Sequence, residues 1–125
     1  MNIIYYCPEA DSDFNKINRI IDVMVPVKKI ETTSSLKIME NHLLSSLSVD
    51  FLIIVQVSDA AELQNIIELK ELLLDYRIIM ILPDDDPDTT VLAHTLHPRL
   101  ITYKDGDFLD VVAVLSRMNV KADNF

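Results

Sequence analysis

The stretch VDFLIIVQVSD, residues 49–59, decides the fold. FLIIV (51–55) is apolar at every position, so the strand it forms is buried on both faces. Asp59 follows at once, with Glu62 three residues on, the spacing of a capping box that opens a helix to about Tyr76. A buried strand running straight into a helix is half of a βαβ unit.

The same alternation extends in both directions. IIYY (3–6) reads as a strand, and residues 13–25 place Phe14, Ile17, Ile21, Met24 and Val25 on one helical face until Pro26 ends it. VKKIE (27–31) is a short charged strand. Thr33 or Ser34 can cap the next helix, whose Leu36, Met39, Leu43 and Leu47 share a face. Beyond Tyr76, IIMIL (78–82) is a second buried strand, and Asp86-Pro87 has the form of a cap and first turn for a helix to about Leu96. Pro98 stops that helix, LITY (100–103) is the last strand, and Asp107 is placed to cap a final helix to about Asn119.

Five βα repeats within 125 residues predict one domain spanning 1–125, with parallel strands joined by right-handed crossovers. The lysines of VKKIE suit an edge strand, because charge blunts edge-to-edge pairing. The order 2-1-3-4-5 puts that strand at an edge and the apolar ones inside. The expected fold is therefore α/β: a doubly wound, five-stranded parallel sheet of flavodoxin-like type.

Composition excludes several functions. The net charge is −9 and the 11 Lys and Arg are scattered, which disfavours nucleic acid and anionic membrane surfaces. The longest apolar runs are far too short to span a bilayer, and MNIIYYCPEADSD lacks the basic start of a signal peptide. A cytoplasmic protein is expected. With one cysteine, Cys7, no internal disulfide can form. With one glycine, Gly106, neither of the Gly-rich phosphate-binding motifs can be written anywhere in the chain. No cofactor is expected.

In open α/β sheets ligands bind beyond the carboxyl ends of the strands. The residues due there are Cys7, Pro8, Glu9, Asp11 and Asp13; Gln56, Ser58 and Asp59; Pro83 to Asp86 and Asp88; and Lys104, Asp105 and Asp107. That edge is strongly acidic. Glu9, Asp11 and Asp84 could converge on a divalent cation, giving a cation-dependent phosphotransfer or enzymatic domain as an alternative. Helix capping is the preferred account, because Asp59, Asp86 and Asp107 all sit at helix starts. Nor do exposed acids demand a counter-ion, since two charges ~6 Å apart in water repel by only about 0.7 kcal/mol.

In element order and spacing, nearly the whole chain resembles the receiver domains of bacterial two-component response regulators. Receivers close their first strand with an acidic pair, often followed by Glu; here Cys7 and Pro8 stand at the pair and Glu9 is kept. The phosphoacceptor Asp that ends the third strand falls on Val55, or on Gln56 with a one-residue slip. The Ser or Thr ending the fourth strand becomes Leu82 or Pro83. The Lys ending the fifth matches Lys104, but the usual following proline is Asp105. One of the four features survives, and neither valine nor glutamine can form an acyl phosphate. The resemblance implies a degenerate pseudo-receiver that signals by binding a protein partner or a second copy.

Cys7 is also similar in position to the phosphorylated cysteine of the IIB components of sugar phosphotransferase systems, which would make the chain a thiol-phosphate carrier. The three acids of PEADSD would repel a phosphoryl group and raise the thiol pKa, so a structural thiol is preferred. His94 and His97 have chelating i, i+3 spacing but no acid or cysteine within a turn of them; these and His42 read as structural or surface residues.

The last helix has a narrow polar side, Asp110, Ser116 and Arg117. Phe108, Val111, Val112 and Leu115 form its core stripe. Leu109, Ala113, Val114 and Met118 flank that stripe and would be left as an exposed apolar strip, the signature of a partner or of dimerisation. In receivers the face built from the fourth helix, fifth strand and fifth helix commonly mediates dimerisation.

Overall fold

A computed structural model of the chain describes residues 2–8, 12–24, 29–45, 51–104, 106 and 108–123. Strands β1 (Asn2–Tyr6), β2 (Lys29–Thr33), β3 (Phe51–Gln56), β4 (Arg77–Leu82) and β5 (Leu100–Tyr103) form one sheet in the order β2-β1-β3-β4-β5. Every pairing is parallel, as crossover connections require. The helices are α1 (Ser12–Met24), α2 (Leu36–Ser45), α3 (Ala60–Ile67), α4 (Lys70–Leu73), α5 (Pro87–His94) and α6 (Leu109–Asp123). The expected fold and strand order are the observed ones.

Period-two alternation divides the apolar strand residues between two cores. Ile4, Tyr6, Ile53, Val55, Val57, Ile78, Met80 and Leu82 pack against α2, α3, α4 and α5, through residues such as Met39, Leu63, Leu73 and Ala93. Ile3, Tyr5, Cys7, Leu52, Ile54, Ile79 and Ile81 pack against α1 and α6, through Ile17, Ile21, Phe108, Val111 and Leu115. A sheet covered on both faces explains why FLIIV and IIMIL carry no polar residue. Among the described residues, no helix is long and apolar enough to cross a membrane.

Four local expectations differ from the structure. The edge strand runs over Lys29–Thr33, two residues past the expected end at Glu31, because β1 offers partners up to Tyr6 and pairs Tyr6 with Thr33; residues 27 and 28 lie outside the described residues. The cap of α2 is Ser35, whose Oγ accepts from the Ile38 N–H at 3.3 Å; Thr33 Oγ1 instead accepts from the Ser35 N–H at 3.1 Å in a local turn. The helix expected over 59–76 is two, α3 and α4. Leu69 and Leu72 donate to carbonyls three residues back, and this tight turn interrupts the helix while the apolar period runs on through it. The capping box is half formed: Asp59 Oδ1 accepts from the Glu62 N–H at 2.8 Å, but the Glu62 carboxylate turns to a tyrosine.

The remaining helix ends follow the sequence signals more closely. Asp86 caps α5, its Oδ2 accepting from the Thr89 N–H at 3.0 Å, with Pro87 in the first turn. That helix stops at His94 and tightens into three-residue turns up to His97, which adopts a left-handed φ of 51° before Pro98. The last helix extends to Asp123, past the expected Asn119. Its expected cap, Asp107, lies outside the described residues.

Candidate functional site

The register of the sheet assembles one row of side chains at its carboxyl end. Gln56 of β3 pairs with Ile81 of β4, and Ile81 pairs with Thr102 of β5. Tyr6 pairs with Val55, so Cys7 stands next to Gln56. By alternation these four residues point to the α1 and α6 side, as Tyr5, Ile54, Ile79 and Leu100 do. All four are buried: Cys7, Gln56, Ile81 and Thr102 are 4%, 3%, 0% and 5% exposed.

This row resolves an ambiguity left by the sequence. Val55 is fully buried among the side chains that face α2 to α5. Gln56 is the residue at the end of β3 that shares a face with Cys7 and Thr102. Its amide is engaged: Tyr5 Oη donates to Gln56 Oε1 at 2.8 Å, wholly within the core. A neutral hydrogen bond there satisfies two buried polar groups without a counter-ion.

Tyr6, the next residue of β1, projects to the opposite face. Its hydroxyl donates to Glu62 Oε1 in the first turn of α3. Burial, and then the adjacent Glu62 carboxylate, push the Tyr6 hydroxyl pKa well above the ordinary tyrosine range. The two tyrosines thus staple the carboxyl end of β1 on both faces, one to β3 and the other to α3. Sequence reasoning missed both contacts. The available signal was a pair of tyrosines in a buried strand, where each hydroxyl needs a partner.

The other expected positions are dispersed. Pro8 is half-buried, and Glu9 and Asp11 lie outside the described residues. Leu82 is fully buried on the α2 to α5 side, which leaves no hydroxyl in its place. Lys104 is half-buried just beyond β5 and donates its N–H to the Leu82 carbonyl at 3.0 Å. Asp84 is exposed, and its Oδ1 accepts from the Asp86 N–H at 3.0 Å in a local turn. Among the described residues, no three His, Cys, Asp or Glu side chains come together as a metal site. His42 is bonded to Glu31 at 3.1 Å, joining α2 to the edge strand, while His94 and His97 are exposed.

Along α6, Phe108, Val111 and Leu115 are buried, as the core stripe requires, and Val112 is half-buried. Leu109 is 62% exposed, and Ala113 is exposed. Val114 is half-buried against the α1 side of the core, which removes most of it from the open strip. The Met118 side chain lies outside the described residues.

No family profile matches the sequence, and no curated protein matches it either. The likeness lies with solved structures, and the fold is that of response-regulator receiver domains. A response regulator receiver protein from Dyadobacter fermentans superposes with a TM-score of 0.68 at 17% identity, over 94% of this chain and 96% of that one. A receiver domain from Rhodospirillum rubrum gives 0.69 at 10% identity, over 100% and 95%. The Salmonella typhimurium RcsB response regulator gives 0.74 at 16% identity over 97% of this chain, which spans 60% of that protein. Identities this low carry the fold and leave the chemistry to the residues themselves.

Proposed function

We propose that this chain is a non-phosphorylated, receiver-like signalling module, a single domain over residues 1–125, acting in the cytoplasm through protein–protein contact. The observation that carries the reading is the row Cys7, Gln56, Ile81 and Thr102. Where acyl-phosphate transfer needs a carboxylate, this row holds a buried thiol, amide, isoleucine and threonine, with the Gln56 amide hydrogen-bonded to Tyr5. No side chain of the row can accept a phosphoryl group as an acyl phosphate. The thiol-phosphate alternative needs a thiolate open to a donor protein, and Cys7 is 4% exposed.

Function then rests on a surface, and α6 supplies it. Leu109 and Ala113 stand a turn apart on its outer side, both exposed. A second copy of the chain is the proposed occupant of this face, through a two-fold contact. Sedimentation analysis across a concentration series tests it. Wild type is expected to dimerise, and Leu109→Glu or Ala113→Glu to abolish the dimer while leaving the fold intact. A wild type that stays monomeric at every reachable concentration overturns the dimer reading.

A further inference from the structure

The entry into α6 is strained. Phe108 has a φ of 61°, a left-handed conformation that a bulky residue rarely adopts, and its ring is 1% exposed. Such a residue persists only where its surroundings over-determine it. Burial of the ring among the residues facing α1 is one such constraint. The second comes from across the sheet's carboxyl end: Lys16 of α1 places its Nζ 5.2 Å from the centre of the Phe108 ring and 3.5 Å from the Gly106 carbonyl oxygen. Gly106 itself is closely approached, since a side chain there would meet the Tyr103 carbonyl at 3.2 Å.

The left-handed turn also decides what α6 shows. Phe108 is turned inward and the next residue, Leu109, outward. Rotating the helix start about its axis would carry Leu109 toward the core and take it off the surface.

We propose that Lys16 is a positioning residue for α6: by holding Phe108 and the Gly106 carbonyl, it fixes the left-handed turn that presents Leu109 to solvent. Its functional consequence rests on the reading of α6 as an interface; the clamp itself does not. A cation over an aromatic face at an exposed site corresponds to about a two- to five-fold change in an equilibrium.

Lys16→Met and Lys16→Arg on the whole chain provide the test. The Val112 amide donates to the Phe108 carbonyl at 3.2 Å, so its hydrogen exchange reports on the turn. Exchange at Val112 is expected to rise about two- to five-fold in Lys16→Met and to return to wild type in Lys16→Arg. The strong intraresidue HN–Hα contact that marks positive φ should weaken at Phe108 in parallel. Unchanged exchange together with an unchanged contact overturns the clamp. In the dimer, Lys16→Met should weaken association by the same factor, and a double-mutant cycle with Leu109→Ala should show coupling. Additive effects in that cycle would mean that Lys16 acts on general stability, and would overturn its positioning role. If wild type is monomeric, the interface reading falls and the exchange measurement alone decides on the clamp.

Discussion

An aspartate placed at the end of β3 should unmake the protein before it confers any chemistry. Consider Gln56→Asp, with Gln56→Asn as its uncharged control of the same length. Gln56 is 3% exposed and accepts from Tyr5 Oη at 2.8 Å. A side chain one methylene shorter withdraws by ~1.5 Å, beyond hydrogen-bond reach. Both variants therefore lose the buried hydrogen bond from the Tyr5 hydroxyl, at a cost of about 1–3 kcal/mol. The aspartate adds a second cost, because burial without a cation raises its pKa, by up to about 3–5 units for a fully buried carboxyl.

The sign follows from linkage. A carboxyl whose pKa is raised by folding leaves stability untouched below its unfolded value of about 3.9, and stability falls as pH rises from there to the folded pKa. Each unit of that interval costs about 1.36 kcal/mol. At pH 5.5 the aspartate should therefore be about 2 kcal/mol less stable than the asparagine, and above its folded pKa about 4–7 kcal/mol less stable. A chain whose total stability is about 5–15 kcal/mol would be largely unfolded there. Urea unfolding of the three proteins between pH 5.5 and 8.5 measures this while staying above the pI of 4.5. Intact mass after incubation with Mg²⁺ and acetyl phosphate measures the chemistry. Equal stability of the aspartate and asparagine variants at pH 8.5 would refute the claim that the row is dry and neutral. A folded variant that gains a phosphoryl group would show that a single residue separates this chain from phosphotransfer.

The other predictions concern the tyrosine pair. Tyr5→Phe orphans the Gln56 carbonyl and should cost about 1–3 kcal/mol in urea unfolding, whereas Tyr5→Phe with Gln56→Leu should recover most of it; additive losses would sink the account. The Tyr6 pKa is raised by folding, so its contribution is complete below about pH 10 and declines as pH rises beyond it. Wild type should then lose up to about 1.36 kcal/mol more per pH unit than Tyr6→Phe in this alkaline range, and parallel curves would argue against a buried, bonded hydroxyl.

The fold was legible because the signals behind it are local. FLIIV and IIMIL can only be strands covered on both faces, and Asp86-Pro87 sets a helix start within two residues. The candidate site was legible only to within one residue. Sequence offered Val55 or Gln56, and a one-residue slip in a strand exchanges its two faces, so only the register shows that Gln56 shares a face with Cys7, Ile81 and Thr102. The Tyr5–Gln56 and Tyr6–Glu62 contacts join residues 51 and 56 positions apart, beyond any periodic pattern. The left-handed turn at Phe108 was hidden for another reason. Its usual mark is a glycine, and the chain's only glycine stands two residues earlier, at Gly106.

The acidity of the carboxyl end and the neutrality of the row beneath it have a common explanation. Asp59 and Asp86 are exposed and spend a carboxylate oxygen on a helix start, and Asp84 spends one on a turn. Solvent screens such charges, so they coexist without a cation. The same charges within the row would require a bound ion or a shared proton, because carboxylates a few ångströms apart in the core cannot all ionise. Tyr5 and Gln56 remove that requirement. A ligand entering the row would have to break their buried hydrogen bond and desolvate itself. Leu109, already 62% exposed on α6, asks for no such rearrangement. Covering it with a second apolar surface would release water at once, which is the physical ground for the proposed association at α6.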